Sequence, residues 1–163
     1  MKSITRSNFY LPMVAMILTA ALAVPAAAQK QVPFKGAMQG HDTDSNPTDT
    51  TIVVTTSGTG IGTHLGEFSF TQVTTVTFAN GTDKGSATWI AANGDSIFTT
   101  ILGSGEFLPS GLISITEINT ITGGTGRFAE VQGSFTVERL ASPVTFLTSG
   151  SFHGTITSPG AAH

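Results

Sequence analysis

Glu67-Phe68-Ser69-Phe70-Thr71-Gln72-Val73-Thr74-Thr75-Val76-Thr77-Phe78 alternates with a period of two. Phe68, Phe70, Val76 and Phe78 fall on one face together with Gln72 and Thr74. Glu67, Ser69, Thr71, Thr75 and Thr77 fall on the other, with Val73 as the exception. Successive side chains of a strand point to opposite sides, so this stretch is a strand with one face buried.

Turn signals divide the chain on either side of it. Asn80-Gly81 and Asn93-Gly94 are the pair that most readily supplies positive φ at both central positions of a type I′ hairpin turn. Working outward from them, strands are expected at Val32–Gly40, Thr51–Ser57, Thr63–Phe78, Gly85–Ala91, Ser96–Gly103, Gly111–Ile121, Ser134–Leu140 and Val144–Thr157. His41–Asp49, polar and containing Pro47, reads as a loop, as does Gly58-Thr59-Gly60-Ile61-Gly62. No segment after residue 28 has the period of a long amphipathic helix, and Thr, Ser, Gly, Val, Ile and Phe dominate. Eight short strands joined by local turns bury their apolar faces by closing into an antiparallel barrel, which also removes exposed edges.

The amino terminus reads differently. Lys2 and Arg6 precede an apolar run from about Leu11 to Val24, and Pro25-Ala26-Ala27-Ala28 follows. The run is shorter than the roughly 20 residues that span a bilayer, and Ala26 and Ala28 have the A-x-A spacing of a cleavage site. A signal peptide at 1–28 is therefore expected, followed by one barrel domain at 29–163, no membrane attachment after cleavage, and a secreted or periplasmic location. Residues 29–163 carry five basic against ten acidic side chains, a net charge of −5, and present no basic patch for nucleic acid. Cysteine is absent, so burial and backbone pairing must supply the stability of this exported chain.

Thr122-Gly123-Gly124-Thr125-Gly126-Arg127-Phe128-Ala129-Glu130-Val131-Gln132-Gly133 is the most distinctive segment. It lacks the Gly-Lys-Ser/Thr ending of a phosphate-binding loop, and its glycines suit a tight corner between strands. It resembles the Thr-Gly-Gly-Ser-Gly-x-Phe-x-x-x-x-Gly stretch of plant allene oxide cyclases and the Gly-Gly-Thr-Gly-x-Phe-x-x-Ala-x-Gly stretch of dirigent proteins. The resemblance covers these 12 residues. It implies an eight-stranded antiparallel barrel, commonly a homotrimer, that guides a reactive small molecule to one stereochemical product. Gly123, Gly124, Gly126, Phe128 and Gly133 carry over as structural elements. The Arg-Glu pair and Pro that dirigent proteins place before this motif are missing, with Glu117, Ile118, Asn119 and Thr120 in their place, so no catalytic residue carries over.

Other signatures fail on their own chemistry. Asp42-Thr43-Asp44-Ser45-Asn46 spaces oxygens as a calcium loop does, but Pro47 stands where that loop needs Gly and Val53 where it needs Glu. No metal or cofactor is expected. Neither Ser149-Gly150-Ser151 nor Gly103-Ser104-Gly105 extends to a Gly-x-Ser-x-Gly elbow. Three polar residues share otherwise apolar strand faces: Glu117 and Asn119 with Ile113 and Ile115, and Gln72 between Phe70 and Val76. Facing inward they would be desolvated, with Glu117 able to act as acid or base and all three able to orient a ligand; at a strand end or rim, water would satisfy them. The expected function is binding of a small hydrophobic molecule, with cyclase-like or stereochemistry-guiding activity left open. The alternative is a non-enzymatic surface or matrix protein working through structural contacts.

Overall fold

The computed structural model describes residues 30–160, and the signal peptide expected at 1–28, with its cleavage point before Gln29, lies outside them. Eight strands follow one another: β1 (Gln31–Ser45), β2 (Thr51–Gly62), β3 (Gly66–Thr77), β4 (Thr82–Ala91), β5 (Ser96–Phe107), β6 (Ile113–Gly124), β7 (Gly133–Ala141) and β8 (Leu147–Thr157). Each pairs antiparallel with the next, and β1 pairs with β8 to close the barrel. Closure leaves no edge strand exposed.

Two stretches expected to be loops are strand. His41–Ser45 continues β1, where Asp42 lies opposite Thr56 and Asp44 opposite Val54. A buried Asp is tolerated in this strand because the Thr56 hydroxyl donates to its Oδ1 at 2.7 Å. Gly58–Gly62 completes β2. Its glycines are there for space: a Cβ at Gly62 would stand 2.6 Å from the Phe152 ring, and one at Gly60 would overlap the Phe68 ring. Three expected strands begin later than expected, β3 at Gly66, β6 at Ile113 and β8 at Leu147. In each case a residue of positive φ, His64, Gly111 or Phe146, stands just before the strand.

The Asn-Gly turns are wider than type I′. Only Gly81 and Gly94 have positive φ, at 64° and 88°, and the asparagines act through their side chains. Asn80 Oδ1 accepts from the Thr82 amide at 3.1 Å, and Asn93 Oδ1 from the Asp95 amide at 3.2 Å. Asparagine serves a turn by this local bond as readily as by adopting left-handed backbone.

Inside, the barrel changes character along its axis. At the end where β1 begins, Leu65, Ile97, Phe128, Val131 and Ile156 form an apolar plug. Next comes a cluster of rings, with Trp89 stacked on Phe70 at 5.3 Å and edge-on to Phe135 and Phe152 at 5.2 and 5.5 Å. Such pairs contribute about 0.5–1.5 kcal/mol each beyond their burial. A polar belt follows, and beyond it the other end of the barrel is open.

Candidate functional site

Alternation carries the polar belt inward. Phe68, Phe70, Gln72, Thr74 and Val76 of β3 face the interior in turn, as do Phe135, Val137, Arg139 and Ala141 of β7. The period that buries Phe135 and Val137 therefore also buries Arg139, which is 5% exposed. Glu117, Asn119 and Gln72 are each 0% exposed, so they lie deep in the barrel and not at a rim.

Barrel closure brings these residues together from distant strands. Arg139 Nε donates to Glu117 Oε2 and Nη2 to Glu117 Oε1, each at 3.2 Å. Its Nη1 donates to Thr148 Oγ1 at 3.1 Å and to Asp42 Oδ2 at 3.4 Å. Gln72 Nε2 donates to Glu117 Oε1 at 2.8 Å. Asn119 stands apart from this group, its Oδ1 accepting from Thr99 Oγ1 at 2.7 Å.

Asp83 completes the belt from β4. Burial, and after it the charge of Glu117, raise its carboxyl from the ordinary range to about 7, against a weaker opposing pull from Arg139. Gly103 makes room for the two carboxyls, because a Cβ there would meet Asp83 Oδ1 and stand 2.8 Å from Glu117 Cγ. Burial opposes the charge on Arg139, but Glu117, and then Asp42 and Asp83, outweigh it and raise its pKa further.

Above the belt opens a cavity of about 430 Å³. Val54, Val76, Ile113 and Ile115 are among its wall residues, Phe78, Phe107 and Phe146 stand at its rim, and Asp42, Asp83 and Arg139 reach it from the belt. Gln72, Glu117 and Asn119 do not line it; Glu117 and Gln72 support the floor from below. Concave apolar walls over a few convergent polar groups are the usual form of a small-molecule site. Near neutral pH, Asp83 is poised to give or take a proton at the cavity floor.

Sequence reasoning passed over Asp83 and Arg139 and weighed Asp42 only as an oxygen ligand of a calcium loop. Their signal was present: Asp83 shares its face with Ala87, Trp89 and Ala91, and Arg139 with Phe135 and Val137. Asp42 was hidden by the loop reading of its segment.

The Gly-rich segment lies at the opposite end. Gly123 and Gly124 end β6, and Gly126–Phe128 forms a 3-10 turn with Gly126 at φ 53°. Phe128, fully buried, belongs to the apolar plug, and Gly133 opens β7 with φ 137°. Thr125 ties the turn to β5, its amide donating to the Ser96 carbonyl at 2.8 Å and its Oγ1 accepting from the Ser96 amide at 2.9 Å.

No family model matches the sequence, and no curated protein is similar to it at the sequence level. Among solved structures, a pterocarpan synthase dirigent protein superimposes with a TM-score of 0.53, covering 94% of this chain and 99% of that one at 12% identity. The fold is that of the dirigent barrel. The likeness concerns architecture, eight antiparallel strands closed on themselves, and agrees with the resemblance carried by the Gly-rich segment. Within this dirigent-type barrel, the belt and cavity rest on the chain's own residues.

Proposed function

We propose that this dirigent-type barrel binds a small hydrophobic molecule in its open end, with the apolar body against the walls and the polar end on the Asp83–Arg139 floor. The observation that carries this reading is the uneven filling of the interior. Rings occupy one half, while the other holds a cavity of about 430 Å³ ending on charged groups. Asp83 supplies a proton donor or acceptor at the point where a bound molecule's polar end would sit, so a cyclase-like or stereochemistry-guiding step is within the chemistry of the site. N-phenyl-1-naphthylamine, a neutral dye that brightens in apolar surroundings, tests the reading. Ile115→Trp, placed on the wall, should fill the cavity and abolish its binding. Absence of binding by the parent chain, or binding unchanged in the variant, would overturn the proposal.

A second reading, a surface or matrix protein working by self-association, has one observation in its favour. Leu102 and Ile118 are paired across β5 and β6 and point outward, 68% and 54% exposed. A homotrimer built on this face would dissociate when Ile118→Lys places a charge in it, as sedimentation equilibrium would show.

A further inference from the structure

We propose, building on the reading of the open end as a ligand site, that its polar floor selects a cationic head group, an ammonium carried on an apolar body, and disfavours carboxylates. Asp42, Asp44 and Asp83 line the cavity, with Glu117 directly beneath, and Arg139 is the one basic residue in its lining. That guanidinium is already committed, to Glu117 through Nε and Nη2 and to Asp42 and Thr148 through Nη1. An entering carboxylate would compete with Glu117 for it and leave a buried charge uncompensated, which is strongly unfavourable. An ammonium would instead supply the positive charge the floor lacks.

Three further observations point the same way. Asp83, more than nine-tenths buried, has no hydrogen-bond partner for Oδ1 among the described residues. Phe78, Phe107 and Phe146 surround the opening, and aromatic faces attract cations. The apolar body that carries the ammonium needs an apolar wall. Val54, Val76 and Ile115 offer the wall for it.

The charged groups that act on Asp83 are Glu117 from β6 and Arg139 from β7, and Arg139 in turn holds Asp42 from β1. A bound ammonium favours ionised Asp83, so binding of a permanent cation should tighten as pH rises through the point where Asp83 titrates. The test compares decyltrimethylammonium, decanol and decanoate by calorimetry below their micellar concentrations, at pH 6 and pH 8. The ammonium should bind about tenfold or more tightly than decanol, the scale of one charge-assisted contact, and decanoate should bind more weakly than decanol. The ammonium's affinity should rise from pH 6 to pH 8 in the parent and stay level in Asp83→Asn. Should that variant fail to fold, the ranking of the three probes on the parent chain decides. Decanoate binding as tightly as the ammonium would overturn the inference and leave the cavity reading standing. Failure of all three to bind, or ammonium binding unaffected by Ile115→Trp, would overturn both.

Discussion

Arg139 meets both carboxylate oxygens of Glu117, at 3.2 Å each, from the neighbouring strand in a part of the barrel where neither side chain reaches bulk water. A planar guanidinium fits a carboxylate in this two-point fashion, and fixing the one fixes the other. Asp42 and Thr148 use a remaining guanidinium nitrogen, so residues from β1, β6 and β8 converge on this one base of β7.

Replacing the base alone should be severe. Arg139→Met leaves Glu117 and Asp42 buried without a counter-charge, and a loss of about 3–5 kcal/mol is expected in urea unfolding. Combining Arg139→Met with Glu117→Gln should cost less than the sum of the two single changes. Strict additivity would show that the pair is not coupled.

Stability should also carry the signature of Asp83. Its carboxyl holds a proton up to about pH 7 in the folded chain, whereas the unfolded chain releases it near the ordinary value of 3.8. Between those values the folded state binds more protons, so stability contributed by this group is present at low pH and declines as pH rises toward 7. Unfolding midpoints measured from pH 4 to pH 8 should fall less steeply for Asp83→Asn than for the parent.

Glu117 is the second cause of that shift, after burial. Glu117→Gln removes its charge at nearly constant shape, so the Asp83 carboxyl should titrate lower, yet still above 3.8 because it stays buried. Carboxyl-carbon NMR of labelled aspartate would follow this directly. An unmoved Asp83 titration would mean that burial alone sets it.

The strand pattern was legible where alternation is regular, as in Phe68-x-Phe70-x-Gln72, and this put Gln72 on the apolar face while leaving open whether it lay inside or at a rim. That Gln72 meets Glu117, 45 positions away, follows only from closing the barrel through β3 to β6. The Gly58–Gly62 strand was illegible for a different reason. Glycine usually marks a turn, and here it is required by rings that fold back over it from Phe68 and Phe152.

The plug at the closed end should be sensitive to its glycine turn. At Gly126, φ is 53° and a Cβ would overlap the Asp95 carboxyl, while at Gly124 it would stand 2.7 Å from the Ser96 carbonyl oxygen. Valine at either position should lower stability by about 1–3 kcal/mol, read from denaturation midpoints.

Export is tested at the amino terminus. Intact-mass spectrometry of protein recovered outside the cytoplasm should give a chain beginning at Gln29, and retention of Met1–Ala28 would refute processing at that site.

The stacking of Trp89 on Phe70 places much of the folding energy at one end of the same strands whose far ends line the cavity. β3 and β4 are thus divided along their length, Phe68, Phe70 and Trp89 anchoring the architecture while the apolar wall position Val76 is free to be exchanged. Selection, or a protein engineer, can recut the opening for a new guest without renegotiating the fold.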